Sequence, residues 1–274
     1  MEFARIGDVA LHHAHITAPL DNTGEAPTIV FANSLGSDCR IWDEVIADLA
    51  VDYGVVLYDK RGHGLSDIGP IGEKPASHAM ADHVGDLAGL LDHLEVSNAI
   101  ICGLSVGGMI AQGLYASRPD LVRALVLCDT AHRIGSLEAW NARIEAVTRD
   151  GIASIAGSIL ERWFTPAFRD EANPEFAGAR NMLVRTPVEG YVGTCAALRD
   201  TDYTDLAGRI DVPVMCVVGA EDGSTPPELV RSLADLVPGA RFEVIEDAAH
   251  LPCIERPDVF ADLIRDFISD LETH

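Results

Sequence analysis

The segment best able to do chemistry is Gly103-Leu104-Ser105-Val106-Gly107. It follows an apolar run that reads as a strand, Asn98–Cys102, and opens a helical pattern, Val106–Ser117. Strand, sharp turn and helix are the setting of a Gly-x-Ser-x-Gly elbow, which lifts a serine hydroxyl to the tip of a strained turn over a helix N-terminus. In so tight a turn, side chains two positions either side of the serine would strike neighbouring backbone, and glycines at 103 and 107 remove them. No Lys-Ser/Thr follows, so the segment is not a phosphate loop. A serine hydroxyl is a weak nucleophile until a base takes its proton. The chain must therefore supply a histidine and a carboxylate.

Both stand later, in the order serine, acid, histidine that such an elbow requires. A strand at Val214–Val218 runs into Gly219-Ala220-Glu221-Asp222-Gly223, which sets Asp222 in a loop at a strand's carboxyl end. Glu221, one position off, ranks second. A strand at Phe242–Ile245 leads into Glu246-Asp247-Ala248-Ala249-His250 before the last helix. His250 alone among the histidines has this strand-loop-helix placement. His12, His13 and His15 alternate along an N-terminal strand and read as surface or edge residues. His63 sits in a glycine turn, His93 at a helix end and His274 in the tail. His78 shares a helix face with Asp82 and Asp86, a set that could take up a cation but reads as a solvated charged face. Ser105 is thus the expected nucleophile, His250 its base and Asp222 the acid that orients it. Two backbone amides should face the oxyanion: that of Val106, and that of Leu35 in the loop Asn33–Ser37 after an early strand.

These residues need a scaffold. Val9–His15, Thr28–Ala32, Val55–Tyr58, Asn98–Cys102 and Val122–Cys128 read as strands. Helical patterns at Ile41–Ala50, Ala79–Leu94 and Val106–Ser117 lie between them. In the second of these, Met80, Val84, Leu87, Leu91 and Leu94 recur every three or four residues, which makes one face apolar. From about 131 to 205 the pattern is helical, with Trp140, Ile144 and Val147 on one stripe and Ile152, Ile155 and Ile159 on another. Strands then alternate with helices at Pro226–Leu236 and Pro257–Leu271. Alternation of this kind implies an α/β fold with a mostly parallel sheet covered on both faces. The expected division is a core of residues 1–130 and 206–274 interrupted by a helical cap, 131–205, that roofs the strands' carboxyl ends.

Composition sets the outer limits. The chain has 274 residues, 48% of them hydrophobic and 23% charged, as in an ordinary folded protein. No run approaches the roughly 20 apolar residues of a membrane span, and the start lacks the marks of a signal peptide. A cytoplasmic enzyme is expected. A net charge of −23 repels nucleic acid and anionic lipid. The six cysteines are scattered without a Cys-x-x-Cys pair, and Cys102, Cys128 and Cys216 fall in strand-like runs. Buried thiols are expected there, not bridges.

The chain resembles the α/β-hydrolase family, and within it the 3-oxoadipate enol-lactonases. The resemblance is carried by Phe31–Asp38 (Phe-Ala-Asn-Ser-Leu-Gly-Ser-Asp) with Trp42-Asp43, by Tyr58–Ser66, by Gly103–Gln112, by Cys128-Asp129-Thr130-Ala131 and by Ala248–Pro252. Many relatives carry His-Gly where this chain has Asn33-Ser34. The turn Tyr58–Ser66 reads as scaffold without chemistry. The resemblance implies an eight-stranded sheet, no metal or organic cofactor, and hydrolysis of a small anionic enol-lactone to 3-oxoadipate. A substrate carboxylate would then need a guanidinium against the net −23. Arg143 is the first choice, one turn from Trp140 on the same helix face, and Arg133 the second. A carboxylesterase or lactonase of other range, or a cofactor-free perhydrolase of haloperoxidase type, would use the same triad. A hydrolase-fold binding protein without turnover would not need it. Oligomeric state is not legible.

Overall fold

The computed structural model describes residues 2–17, 26–70 and 77–272, so His274 lies outside the described residues. The strands are β1 (Glu2–Ile6), β2 (Val9–Ile16), β3 (Thr28–Ala32), β4 (Gly54–Tyr58), β5 (Ala99–Leu104), β6 (Val122–Cys128), β7 (Val214–Gly219) and β8 (Arg241–Ile245). They form one sheet in the order β1-β2-β4-β3-β5-β6-β7-β8. The pairs β1–β2 and β2–β4 are antiparallel, and all pairs from β4–β3 to β7–β8 are parallel. The fold is an α/β fold with an eight-stranded, mostly parallel sheet flanked by helices, as the sequence predicts. Every residue of β4, β5 and β7 is buried, because helices cover both faces of a parallel sheet. Hence those strands read as continuous apolar runs; Cys102 of β5, Cys128 of β6 and Cys216 of β7 are buried free thiols.

The helices are α1 (Asp43–Leu49), α2 (Met80–His93), α3 (Val106–Ser117), α4 (Leu137–Asp150), α5 (Ala156–Trp163), α6 (Pro174–Arg185), α7 (Val188–Arg199), α8 (Thr204–Ala207), α9 (Pro227–Leu236), α10 (Pro252–Glu255) and α11 (Pro257–Glu272). Helices α4 to α8 all lie between β6 and β7, with no strand among them. The α4 stripe predicted from Trp140, Ile144 and Val147 is buried. The helix predicted to start at Ile41 instead opens with a 3-10 turn, Cys39–Trp42, because the Asp38 carboxylate accepts the Arg40 N–H. Strand β1 has no counterpart in the sequence reading. Of its five residues only Ala4 is buried, so it carries no alternating apolar signal and is recruited by pairing with β2.

Three histidine assignments are corrected. His13 is buried, and His12 is half-buried and bonded through Nδ1 to the Asp59 carboxylate at 2.8 Å. The face holding His78, Asp82 and Asp86 is not a solvated charged face. His78 is buried, its ring 5.5 Å from that of buried His83, while Asp82 accepts the Ala79 N–H and caps α2. Asp86 is buried in a two-pronged pair with Arg61, Nε to Oδ2 at 2.6 Å and Nη2 to Oδ1 at 2.7 Å. Removing one partner of such a pair leaves the other charge buried alone. Arg61→Ala should therefore lower unfolding free energy by about 3–5 kcal/mol, measured by urea denaturation. A loss below about 1 kcal/mol, the value of an exposed pair, would contradict a buried role.

Candidate active site

Ser105 follows β5 directly and starts α3 with φ 58° and ψ −116°, a backbone region that side chains other than glycine rarely occupy. Clearance makes the turn possible. A Cβ on Gly103 would stand 2.3 Å from the Gly107 carbonyl oxygen, and one on Gly107 would stand 2.0 Å from that of Ala32. Hydrogen bonds then fix it: Ser105 N–H donates to the Cys128 carbonyl at 2.9 Å, and the Thr130 hydroxyl donates to the Ser105 carbonyl at 2.6 Å.

The loops after β7 and β8 bring Asp222 and His250 together. His250 Nδ1 lies 2.9 Å from Asp222 Oδ2, with both side chains buried. Asp222 Oδ1 accepts the N–H groups of Ser224 (2.7 Å) and Thr225 (3.1 Å), and the Thr225 hydroxyl stands 2.7 Å from Oδ2. Burial alone would push this carboxyl up. The His250 imidazole and the donors from Thr225 and Ser224 outweigh burial and hold it below the ordinary carboxylate range. The loop bearing His250 is tied in turn by Glu255, which accepts the Ala249 N–H at 2.7 Å and both the N–H and hydroxyl of Thr165.

Ser105, His250 and Leu35 line one cavity of about 260 Å³. Among the described residues no hydrogen bond joins the Ser105 hydroxyl to His250 directly; such contacts commonly tighten only when substrate is bound. Val106 is the first residue of α3, so its N–H has no carbonyl four residues back within the helix. The lining is also cationic. Arg143 lines the cavity with its guanidinium 4.9 Å from the Trp140 ring centre, while Trp140 Nε1 donates to the Ile134 carbonyl at 2.6 Å. Arg162 lines it too, its proton affinity lowered by burial and then by the neighbouring Arg143 charge. Arg133, the second choice from sequence, is not brought to this cavity. It is exposed and pairs with Asp202 at 3.5 Å. The other guanidinium lining this cavity is that of Arg162, not Arg133.

A family model of the alpha/beta hydrolase fold matches residues 27–257. The chain belongs to that family. It is 33% identical over 254 residues to 3-oxoadipate enol-lactonase 2 of Acinetobacter baylyi, covering 92% of this chain and 91% of the relative. Against 3-oxoadipate enol-lactonase 1 of the same organism it is 32% identical over 259 residues, 94% of each chain. Its structure superposes on the crystal structure of the enol-lactonase from Burkholderia xenovorans LB400 with TM-score 0.89 and 34% identity, covering 98% of this chain and 100% of that one.

Among the described residues of this α/β-hydrolase chain two groups of side chains approach metal-binding geometry: His12, Cys39 and Asp59, and Asp129, Asp222 and His250. Asp59 already accepts from Cys39 N–H, Leu65 N–H and His12 Nδ1, and Asp222 is occupied as described above. A larger cavity, about 600 Å³, contains the first group but none of Ser105, Asp222 or His250, so size does not locate the chemistry. Sequence reasoning missed Arg162, Thr225, Glu255 and the turn Tyr58–Ser66, whose Lys60 and His63 bond the loop holding Leu35. Only Thr225 had a local signal, since a threonine three residues after an aspartate can bond back to it.

The crowding at position 107 yields a test. Gly107→Ala must displace the Ala32 carbonyl, and overpacking of this kind costs about 1–3 kcal/mol. The variant should melt several degrees lower and label more slowly with a fluorophosphonate. Unchanged melting and labelling would mean that the elbow is not clearance-limited.

Proposed function

We propose that the chain is a serine hydrolase that opens a small anionic lactone, 3-oxoadipate enol-lactone, to 3-oxoadipate. The observation that carries this reading is the presence, around one cavity, of a strained serine, a histidine oriented by a buried carboxylate, and two guanidiniums. The names of its relatives point to the same substrate. Helices of residues 131–205 act in this reading as a cap over a core of 1–130 and 206–274, since α4, α5 and α7 supply Arg143, Arg162 and Tyr191 to the cavity. Among the described residues no helix is long and apolar enough to cross a membrane.

The chemistry follows from the residues. His250 takes the Ser105 proton as Oγ attacks the lactone carbonyl, with Asp222 stabilising the imidazolium that results. The oxyanion rests on the Leu35 and Val106 N–H groups. Collapse breaks the ring C–O bond, and His250 returns its proton to the departing enol oxygen. The product end stays esterified to Ser105 while the enol becomes a ketone, which discourages ring closure. His250 then takes a proton from water, the hydroxide attacks the acyl carbon, and Ser105 leaves with the proton restored. Arg143, with Arg162 beside it, holds the substrate carboxylate against a molecule of net charge −23.

Steady-state kinetics test this. The kcat/KM for the enol-lactone should exceed that for phenyl acetate and for peracid formation from acetate; parity with phenyl acetate removes the lactone assignment and leaves a general esterase. Ser105→Ala should abolish turnover, and Asp222→Asn should lower kcat by about 10,000-fold. Arg143→Gln should raise KM for the lactone about 10- to 100-fold, the value of one charged hydrogen bond, and leave KM for phenyl acetate unmoved.

A further inference from the structure

Lys60 lies just beyond the carboxyl end of β4 and is 1% exposed. Its Nζ donates to the Ser34 carbonyl at 2.5 Å and to the Ser37 carbonyl at 3.2 Å. An ammonium so deeply buried is costly and persists only where something holds it. Both oxygens that hold it belong to the loop Asn33–Ser37. The Ser34 C=O and the Leu35 N–H are two ends of one planar trans peptide, so they point in opposite directions. A cation fixed on that oxygen turns the N–H away from Lys60. It also draws electron density through the amide and makes the N–H a stronger donor. The following peptide is fixed as well, because Gly36 N–H donates to His63 Nε2 at 3.0 Å.

We propose that Lys60 is a positioning residue of the oxyanion site, whose ammonium orients and polarises the Ser34–Leu35 peptide so that the Leu35 N–H meets the charge developing on the substrate carbonyl. This rests on Ser105 being the nucleophile. The groups facing Nζ come from several elements. Burial lowers its pKa from 10.5 to about 7, with the Asp59 and Asp38 carboxylates opposing the fall. His63 and His83, near the same charge, are held well below the usual imidazole value, His63 by burial first and Lys60 after it, His83 by burial first and then by His78 and Lys60. Below about pH 7 the ammonium is charged and the site is at full strength. Above it a neutral amine faces Ser34 and the Leu35 donor weakens. Stability runs the other way: the folded pKa lies below the unfolded one, so this group's contribution is complete above the unfolded value and is lost as pH falls through about 7. An alkaline fall in kcat without a fall in melting temperature is therefore its signature.

The test uses the intact chain and phenyl acetate, so it does not depend on the lactone. Wild-type kcat should decline above about pH 7 while the melting temperature holds. K60M should lower kcat at neutral pH by about 10-fold or more with KM little changed, and should flatten the alkaline limb. K60R keeps the charge and should carry the limb upward by about two pH units or more. A K60M variant with wild-type kcat, or with reduced kcat and an unshifted limb, overturns the proposal. If K60M does not fold, K60R decides: a limb that stays in place overturns it. Ser105→Ala on the same substrate separates the two readings. Retained turnover removes the serine mechanism and this proposal with it, whereas lost turnover beside an unaltered K60M profile overturns this proposal alone.

Discussion

The backbone of Ser105 is the constraint around which the active end of the molecule is arranged. A non-glycine residue at φ 58° and ψ −116° costs on the order of 1–3 kcal/mol and persists only where its surroundings over-determine it. Those surroundings are the sheet itself. Strand β5 lies between β3 and β6, and each neighbour contributes. The Ala32 carbonyl of β3 closes over Gly107, while the Cys128 carbonyl of β6 accepts the Ser105 N–H. Thr130, just beyond β6, holds the Ser105 carbonyl. The hydroxyl therefore stands where the parallel sheet puts it, and α3 packs as closely as the glycines permit.

Around this fixed point the other loops are tied by buried or half-buried ionisable groups. Lys60 holds the loop of Leu35, Glu255 the loop of His250, and Asp222 the imidazole itself. Asp129 belongs to the same set. It is fully buried, accepts the Gly219 N–H at 2.9 Å, and is pushed well above the carboxylate range by burial and then by Asp222. The two neighbouring carboxyls are thus shifted in opposite directions, Asp222 down by its donors and Asp129 up by burial and the Asp222 charge. Loops bound this way are held without becoming part of the apolar core, and residues of each line the cavity.

The electrostatics of the whole and of the site have opposite signs. The chain carries −23 overall, yet the cavity that holds Ser105 is also lined by Arg143 and Arg162, while the Asp222 carboxylate is turned toward His250. A local cationic wall within an anionic surface favours small anions that can enter fully, where the field of the two guanidiniums is least screened.

Much of this was legible in the sequence because it is local or periodic. The alternation of strands and helices follows from burial on both faces of a parallel sheet, and the elbow follows from two glycines about a serine. The loop positions of Asp222 and His250 follow from the strands before them. Strand β1 was hidden because it buries only Ala4. Which arginine reaches the cavity was not legible, since Arg133 and Arg143 differ only in where their helix and loop come to lie, and Arg162 lies in another helix altogether. The turn Tyr58–Ser66 reads as scaffold in one dimension. Only in three does Lys60 of that turn come within 2.5 Å of a carbonyl 26 residues earlier. Chain order and local chemistry determine which groups exist and which element carries each. Their partners across the sheet are set by strand order and packing, because contact between distant segments is a property of the folded whole.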